Sequence, residues 1–339
     1  MNNSNWLSVI IPAYNCVNTI ERLLDSILDQ HDDDLEIIIC DDHSTDNFMD
    51  KVKPYYDKLN IKYYKTKDRE IHCPSNTRLD AWKHATGEWI TFIDSDDMFE
   101  PDVFKEIKKL IIENNEKHLV FTNFIDYNYD TNSYNLTFTG GTWHHGKFYN
   151  RQWLIDEGID FKENLYTNED LYFNGLVIAT LEAKEYNYTQ SDICTYKWVY
   201  NPKSFTRSFD SSKHSLLETY FEDYSFAAID PWINVLHKYP NKKDTIFSHL
   251  CLMILYMYFY IQAYKFSLED KYIKNNEDLI RKSIIKTCKN CNKNISDIIN
   301  LIYSDPKFYD EIKHDAETGS NKFIEDESFK AFINRVLIL

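Results

Sequence analysis

Short apolar runs alternate with amphipathic stretches over the first 125 residues of the chain. Leu7 to Ile11 is a run of the kind shown by a parallel strand buried on both faces. Asn18, with Glu21 three residues later, makes a capping-box start. Ile20, Leu23, Leu24, Ile27 and Leu28 then fall on one helical face. Leu35 to Cys40 predicts a second strand, Asn47 to Leu59 a helix, and Ile61 to Tyr64 a third strand. A helix over Ser75 to Ala85 closes on Gly87 as its C-cap glycine. Trp89 to Ile93 predicts a fourth strand, and a helix starts near Pro101. This alternation predicts an α/β fold with a mostly parallel central sheet and helices on both faces.

From Leu119 to Tyr200 the pattern changes to short strands and aromatic-rich loops, with one helix over Asp170 to Ile178. From Lys213 onward the apolar spacing is helical, and Pro231, Pro240 and Gly319 mark loops. A soft boundary near residue 212 follows. It separates a domain over 1–212, with a nucleotide-binding half (1–125) and an acceptor half (126–212), from an α-helical C-terminal region over 213–339. Phe247 to Tyr264 raises the membrane question. Its fully apolar part, Leu250 to Ile261, falls short of the ~20 residues that span a bilayer. It reads as a buried helix whose tyrosines leave a peripheral membrane contact open.

Composition narrows the partners. Hydrophobic residues make up 43% of 339, enough for a substantial core, and the formal net charge is −16. A nucleic-acid binder needs a basic stripe, and the one basic run, Lys62 to Arg69, is broken by tyrosines and an aspartate, so nucleic acid is excluded as a partner. The seven cysteines are scattered, and Cys288 and Cys291 form a lone CxxC without a second pair at metal-ligand spacing. The polar start of the sequence shows no signal-peptide pattern, so a reduced, cytoplasmic setting is expected.

Three polar clusters follow the predicted strands. Pro12-Ala13-Tyr14-Asn15 comes after the first, Asp41-Asp42-His43-Ser44-Thr45-Asp46 after the second, and Asp94-Ser95-Asp96-Asp97 after the fourth. Parallel sheets bind ligands at the carboxyl ends of their strands, so the three should line one crevice. Three carboxylates within four residues repel one another unless solvated or neutralised by a cation. Hard oxygen ligands of this kind suit Mg²⁺ or Mn²⁺. Each cluster alone also reads as a solvated acidic turn or helix cap.

Together these segments resemble the family 2 glycosyltransferases of the GT-A fold. The resemblance rests on Val9 to Asn15, on Asp41 to Asp46, and on Gly87-Glu88-Trp89-Ile90-Thr91-Phe92-Ile93-Asp94-Ser95-Asp96-Asp97. It is strong over residues 7–105 and weaker over 140–180. His43 stands where this family usually has glycine. The resemblance implies a nucleotide-sugar donor site built on Pro12, Tyr14, Asp41, Asp42, Arg78, Asp94 and Ser95. Tyr14 would stack on the base, and Asp42, with Asp41 beside it, would accept a base N–H. Arg78 would stand near the nucleotide, and Asp94 would hold the ribose or the metal's water shell. Asp96 would be the direct ligand of Mn²⁺ or Mg²⁺, with Asp94 and Asp97 sharing the metal site. Asn168-Glu169-Asp170 is similar to the family's base segment, with Asp170 as base and single displacement with inversion implied.

The resemblance also implies a UDP-sugar donor, as the commonest partner of such sites, and a glycan acceptor on a bacterial surface polysaccharide. Gly140 to Gly146, with Trp143, His144 and His145, reads as a surface hairpin turn or as a loop that stacks on an acceptor sugar or lends a metal ligand. Two rival readings stand beside a glycosyltransferase. A sugar-phosphate nucleotidyltransferase would carry a glycine-rich phosphate loop with a basic residue after the first strand, and Pro12 to Asn15 has neither. A non-catalytic nucleotide-sugar-binding protein would tolerate loss of carboxylates that are all present here.

Overall fold

The computed structural model describes residues 5–129, 131–137, 140–201, 214–264, 270–304, 309–314 and 328–337. Residue 212 and Gly319 lie outside them. The chain divides into two compact units, Met1–Ser212 and Lys213–Leu339.

The first unit is an α/β sandwich. In chain order its elements are β1 (Leu7–Ala13), α1 (Ile20–Leu28), β2 (Leu35–Asp41), α2 (Phe48–Val52), β3 (Ile61–Lys65), α3 (Pro74–Trp82) and β4 (Trp89–Phe92). They continue with β5 (Met98–Phe99), α4 (Val103–Glu113), β6 (Leu119–Asn128), β7 (Ser133–Thr137), β8 (Lys147–Asn150), α5 (Arg151–Glu157), α6 (Glu169–Lys184) and β9 (Thr189–Val199). The sheet runs β3-β2-β1-β4-β8-β6-β9-β5, with β7 beside β6. Its first four strands are parallel, as the alternation predicts. The parallel run ends at β4: β8 pairs antiparallel with it, and of the later pairings only β6 with β9 is parallel.

Successive residues of the parallel strands feed cores on opposite faces. Val9, Ile11, Ile37 and Ile39 pack with Leu23, Leu24 and Ile27 of α1 and Phe104 and Ile107 of α4. Ile10, Ile38 and Cys40 pack with Leu79 and Trp82 of α3 and Phe173 and Val177 of α6. Each wholly buried side chain of this size contributes roughly 1.5–3 kcal/mol of transfer free energy.

One wholly buried carboxylate interrupts that apolar pattern. Glu36 of β2 accepts from Ser8 Oγ at 2.5 Å, Thr86 N–H at 2.5 Å and Gly87 N–H at 3.1 Å, and Lys62 Nζ closes on its other oxygen. Burial by itself raises its pKa, but Lys62, Ser8 and Thr86 outweigh that and hold it below the usual carboxylate value. Gly87 is therefore not a C-cap. Helix α3 ends at Trp82 with Lys83 as its C-cap, and a Cβ on Gly87 would lie 2.6 Å from Ser8 N. The close approach to β1 requires glycine there.

Other boundaries shift for local reasons. The N-cap of α1 is Thr19, which makes no side-chain cap bond, so Asn18 and Glu21 form no capping box. The helix expected to Leu59 stops at Val52 and passes into a 3₁₀ turn, Lys53–Tyr55, because Pro54 has no N–H to continue it. The helix expected to end at Ile178 continues to Lys184.

The second unit is helical: α7 (His214–Lys238), α8 (Lys243–Tyr264), α9 (Asp270–Cys291), α10 (Ile295–Ser304) and a last helix, Phe329–Leu337. Pro231 lies inside α7 rather than in a loop. Its neighbours Ala227, Ala228, Ile229, Trp232 and Ile233 are buried, and that packing overrides the helix-breaking tendency. Pro240 opens a 3₁₀ turn. In α8, Leu250, Cys251, Ile254, Leu255, Tyr258 and Phe259 are wholly buried. The apolar stretch is longer than Leu250 to Ile261: by length and composition alone Pro240–Gln262 could cross a membrane, a test that a buried core helix also passes, and 56% of its apolar window is buried in the protein.

Candidate active site

The carboxyl ends of β1, β2 and β4 meet in one crevice. Pro12 pairs with β2 alone, because the β1–β4 ladder stops at Ile10, so its missing N–H leaves no gap. Asn15 sits in left-handed backbone (φ 49), and its Oδ1 accepts Thr45 N–H at 2.8 Å while its N–H donates to Ser44 Oγ at 2.9 Å. That turn leaves Tyr14 62% exposed at the rim. Asp41 is fully engaged, accepting Ser44 N–H at 2.8 Å and Tyr63 Oη at 2.7 Å. Asp42 accepts Thr66 Oγ1 at 2.9 Å and lies 2.9 Å from His72 Nδ1. His43 takes φ 59, the left-handed conformation glycine adopts freely, so the turn survives the replacement at a strain cost of about 1 kcal/mol or more.

The acidic turn after β4 is tight: Asp97 N–H donates to Asp94 O at 3.0 Å. Asp97 is buried, accepting Val199 N–H at 2.8 Å and the Tyr196 hydroxyl. Asp96 accepts Asn201 Nδ2 at 2.8 Å, and its carbonyl accepts from Arg22, whose guanidinium lies over the Tyr129 ring. Burial, then the neighbouring carboxylates, push Asp96 up and Asp97 well up from the usual carboxylate range.

Ligand atoms of Asp94, Asp97 and His145 lie within 4.8 Å of one another, and Asp96 is not in that group. The carboxylate expected as the direct ligand turns to Asn201 instead. His145, from the loop before β8, joins Asp94 and Asp97 in that group. Two carboxylates and an imidazole suit Mn²⁺, and a cation there would offset the crowding of like charges.

Arg78 of α3 does not present its charge to the surface of the crevice. Only 5% exposed, it donates from Nη1 to Glu169 Oε1 at 2.7 Å and from Nη2 to Asp94. It thus joins the acidic turn to the first turn of α6, which carries Glu169 and the half-buried Asp170. Burial raises both carboxyls. Arg78 opposes it at each, and at Asp170 the Leu171 N–H, 2.7 Å from Oδ1, opposes it too.

The loop 140–146 is pinned beside them. Lys147, wholly buried, donates to Gly140 O at 2.8 Å and to Trp143 O. Burial lowers its pKa to about 7, with Asp170 working against that. Asn174, also wholly buried, donates to Thr142 O at 2.8 Å and Asp170 O at 3.0 Å, and accepts Tyr149 Oη at 2.8 Å. Gly146 takes φ 65, and a Cβ there would meet Thr122 O at 2.6 Å. His144 is buried among Phe92, Phe161 and Phe173, and burial holds its pKa well below the usual imidazole value. The loop is therefore a built part of the crevice and not a free hairpin tip. Arg22, His72, Lys147, Asn174 and Tyr196 were not legible in the sequence, since each is an isolated residue outside the three clusters, His72 on the loop before α3 and the others on strands or helices.

Residues 8–168 match the family model described as glycosyl transferase family 2. Chondroitin synthase of Pasteurella multocida is 28% identical over 220 residues, covering 61% of this chain and 22% of that protein. The chain spans about a fifth of the length of the curated relatives it matches first. Among solved structures, Staphylococcus aureus TarS 1–349 in complex with UDP-GlcNAc superposes with TM-score 0.61 at 18% identity, covering 92% of each chain. A mannosyltransferase of Pyrobaculum calidifontis, in complex with GDP-Man and Mn²⁺, superposes with TM-score 0.52 at 13% identity over 98% of this chain and 86% of that one. These superpositions give the first unit its GT-A fold. The family match, over β1 to the start of α6, identifies residues 8–168 as a segment of glycosyl transferase family 2.

Proposed function

We propose that the chain transfers a sugar from a UDP-sugar to a glycan hydroxyl, with inversion at the anomeric carbon and a divalent cation. The observation that carries this reading is the grouping of Asp94, Asp97 and His145, joined through Arg78 to the Glu169–Asp170 pair. Mn²⁺ or Mg²⁺ held by those three residues supplies, when bound, charge stabilisation for the departing diphosphate. Tyr14 and Asp42 bind the base at the far end of the crevice. Asp170 accepts the proton of the attacking hydroxyl, and its raised pKa brings it closer to the operating pH. One base acting opposite the leaving group gives a single displacement.

UDP as donor is supported by the TarS fold match, whose protein binds UDP-GlcNAc, and a bacterial polysaccharide acceptor by the chondroitin synthase relative. A cytoplasmic location belongs to the same reading. The test is UDP release from a series of UDP-sugars with Mn²⁺ and with excess EDTA. Metal-dependent release supports the reading. Binding of donor and metal with no turnover on any acceptor or on water would support a binding protein instead.

A further inference from the structure

Asp42 is nine-tenths buried, and its two oxygens are not equivalent. Oδ1 accepts Thr66 Oγ1 at 2.9 Å and lies 2.9 Å from His72 Nδ1. A carboxylate only accepts, so the His72 proton sits on Nδ1. An oxygen of this kind offers about two lone-pair sites, and both on Oδ1 are filled. Oδ2 makes no hydrogen bond among the described residues. Asp41 beside it has both oxygens engaged, so the free oxygen of Asp42 is the acceptor this carboxylate pair offers an incoming base. His72 is held edge-on against His43, ring centroids 5.0 Å apart, and the left-handed backbone at His43 sets that ring's place.

We propose that His72 is a specificity-determining residue of the donor site: with Thr66 it fills Oδ1 of Asp42, and so restricts the carboxylate to a base that presents a single ring N–H. The proposal rests on the reading that Asp42 faces the donor's base. Uracil presents one ring N–H between two carbonyls and meets the one free oxygen. Guanine presents N1–H and its amino group side by side, a pair that a free carboxylate accepts with both oxygens. Here both donors must share the single oxygen Oδ2 at poorer geometry, which is unfavourable. Cytosine turns a ring-nitrogen lone pair toward Oδ2 and is repelled.

The experiment is calorimetric titration of the full chain with UDP and GDP in Mn²⁺, for the wild type, His72→Ala and His72→Gln. The wild type should prefer UDP by about tenfold or more, the discrimination of one poorly paired donor. His72→Ala opens a lone pair on Oδ1, so that ratio should fall by about tenfold, mainly through tighter GDP binding. His72→Gln, which can donate to the same oxygen, should restore it. A wild-type preference for GDP overturns the proposal. So does a His72→Ala variant that weakens both nucleotides equally or leaves the ratio unchanged, as a merely structural role would. A wild-type protein that binds neither nucleotide overturns the donor-site reading itself, a result visible without any variant.

Discussion

Arg78 and Glu169 stand 91 positions apart in the chain and meet through a 2.7 Å hydrogen bond, while the other arm of the same guanidinium holds Asp94. The residue expected beside the nucleotide is the link between the acidic turn after β4 and the first turn of α6. Arg78→Met should leave two carboxylates without their cation. The loss should be about 3 kcal/mol, the low end for a broken buried pair, because Asp94 is partly exposed. Urea unfolding checks it, and a loss under about 1 kcal/mol would mean solvent already screens the pair. Arg78→Lys should recover only part, since one ammonium lacks the fork that reaches both partners.

For the proposed cation site, the arrangement separates residues that sequence treats alike. Asp97→Asn and His145→Ala should each weaken Mn²⁺-dependent UDP binding by about tenfold or more, as loss of a metal ligand does. Asp96→Asn should do less, because its carboxylate faces Asn201. Calorimetry with and without Mn²⁺ decides, and the reverse order would return the direct-ligand role to Asp96.

The parallel half of the sheet and the three clusters at its strand ends were legible because both depend on local pattern. Val9, Ile10 and Ile11 announce a strand buried on two faces, and Asp94 to Asp97 announce a turn that repels itself. What the sequence hid is long-range. Asp96 and Asp97 are adjacent, and only the arrival of β9 decides that Asp97 faces Tyr196 and Val199 while Asp96 faces Asn201. Glu36 reads as a flaw in an apolar strand until Ser8, Lys62 and Thr86 arrive from three other segments. Helix ends moved where one residue overruled periodicity, as Pro54 does at the end of α2.

Glu36→Gln tests that buried network through stability. The folded pKa of Glu36 lies below its unfolded value, so its contribution is present above the unfolded carboxyl value of 4.5 and is lost as pH falls through the folded value. The variant should be destabilised by about 1.5–3 kcal/mol at pH 7, because Lys62 loses its buried partner but, a third exposed, keeps part of its hydration. The gap between wild type and variant should narrow below pH 4.5. Denaturation measured at several pH values checks this, and a gap that does not vary with pH would remove the charge from the explanation.

Asp170→Asn isolates the proton-transfer step. The substitution keeps the shape of the side chain and removes its basicity, so kcat should fall by on the order of a hundredfold or more. Donor affinity should change little, the signature of an interaction made in the transition state alone. Burial pushes Asp170 up to about 6 and Glu169 up to about 7, and their protons belong to the pair. The base acts only when ionised, so wild-type kcat should rise with pH through about 6 to 7 rather than near 4. The stability argument runs the other way. A carboxyl whose folded pKa is raised binds its proton more tightly when folded, so its ionised form weakens the fold as pH rises from the unfolded value through the folded one. Asp170→Asn should therefore be at least as stable as the wild type at pH 7, which separates lost chemistry from lost folding. A variant that folds normally and retains near-normal turnover would move the base elsewhere, with Glu169 next in line. An activity profile flat from pH 5 to pH 8 in the wild type would remove this carboxyl pair from the rate-limiting step.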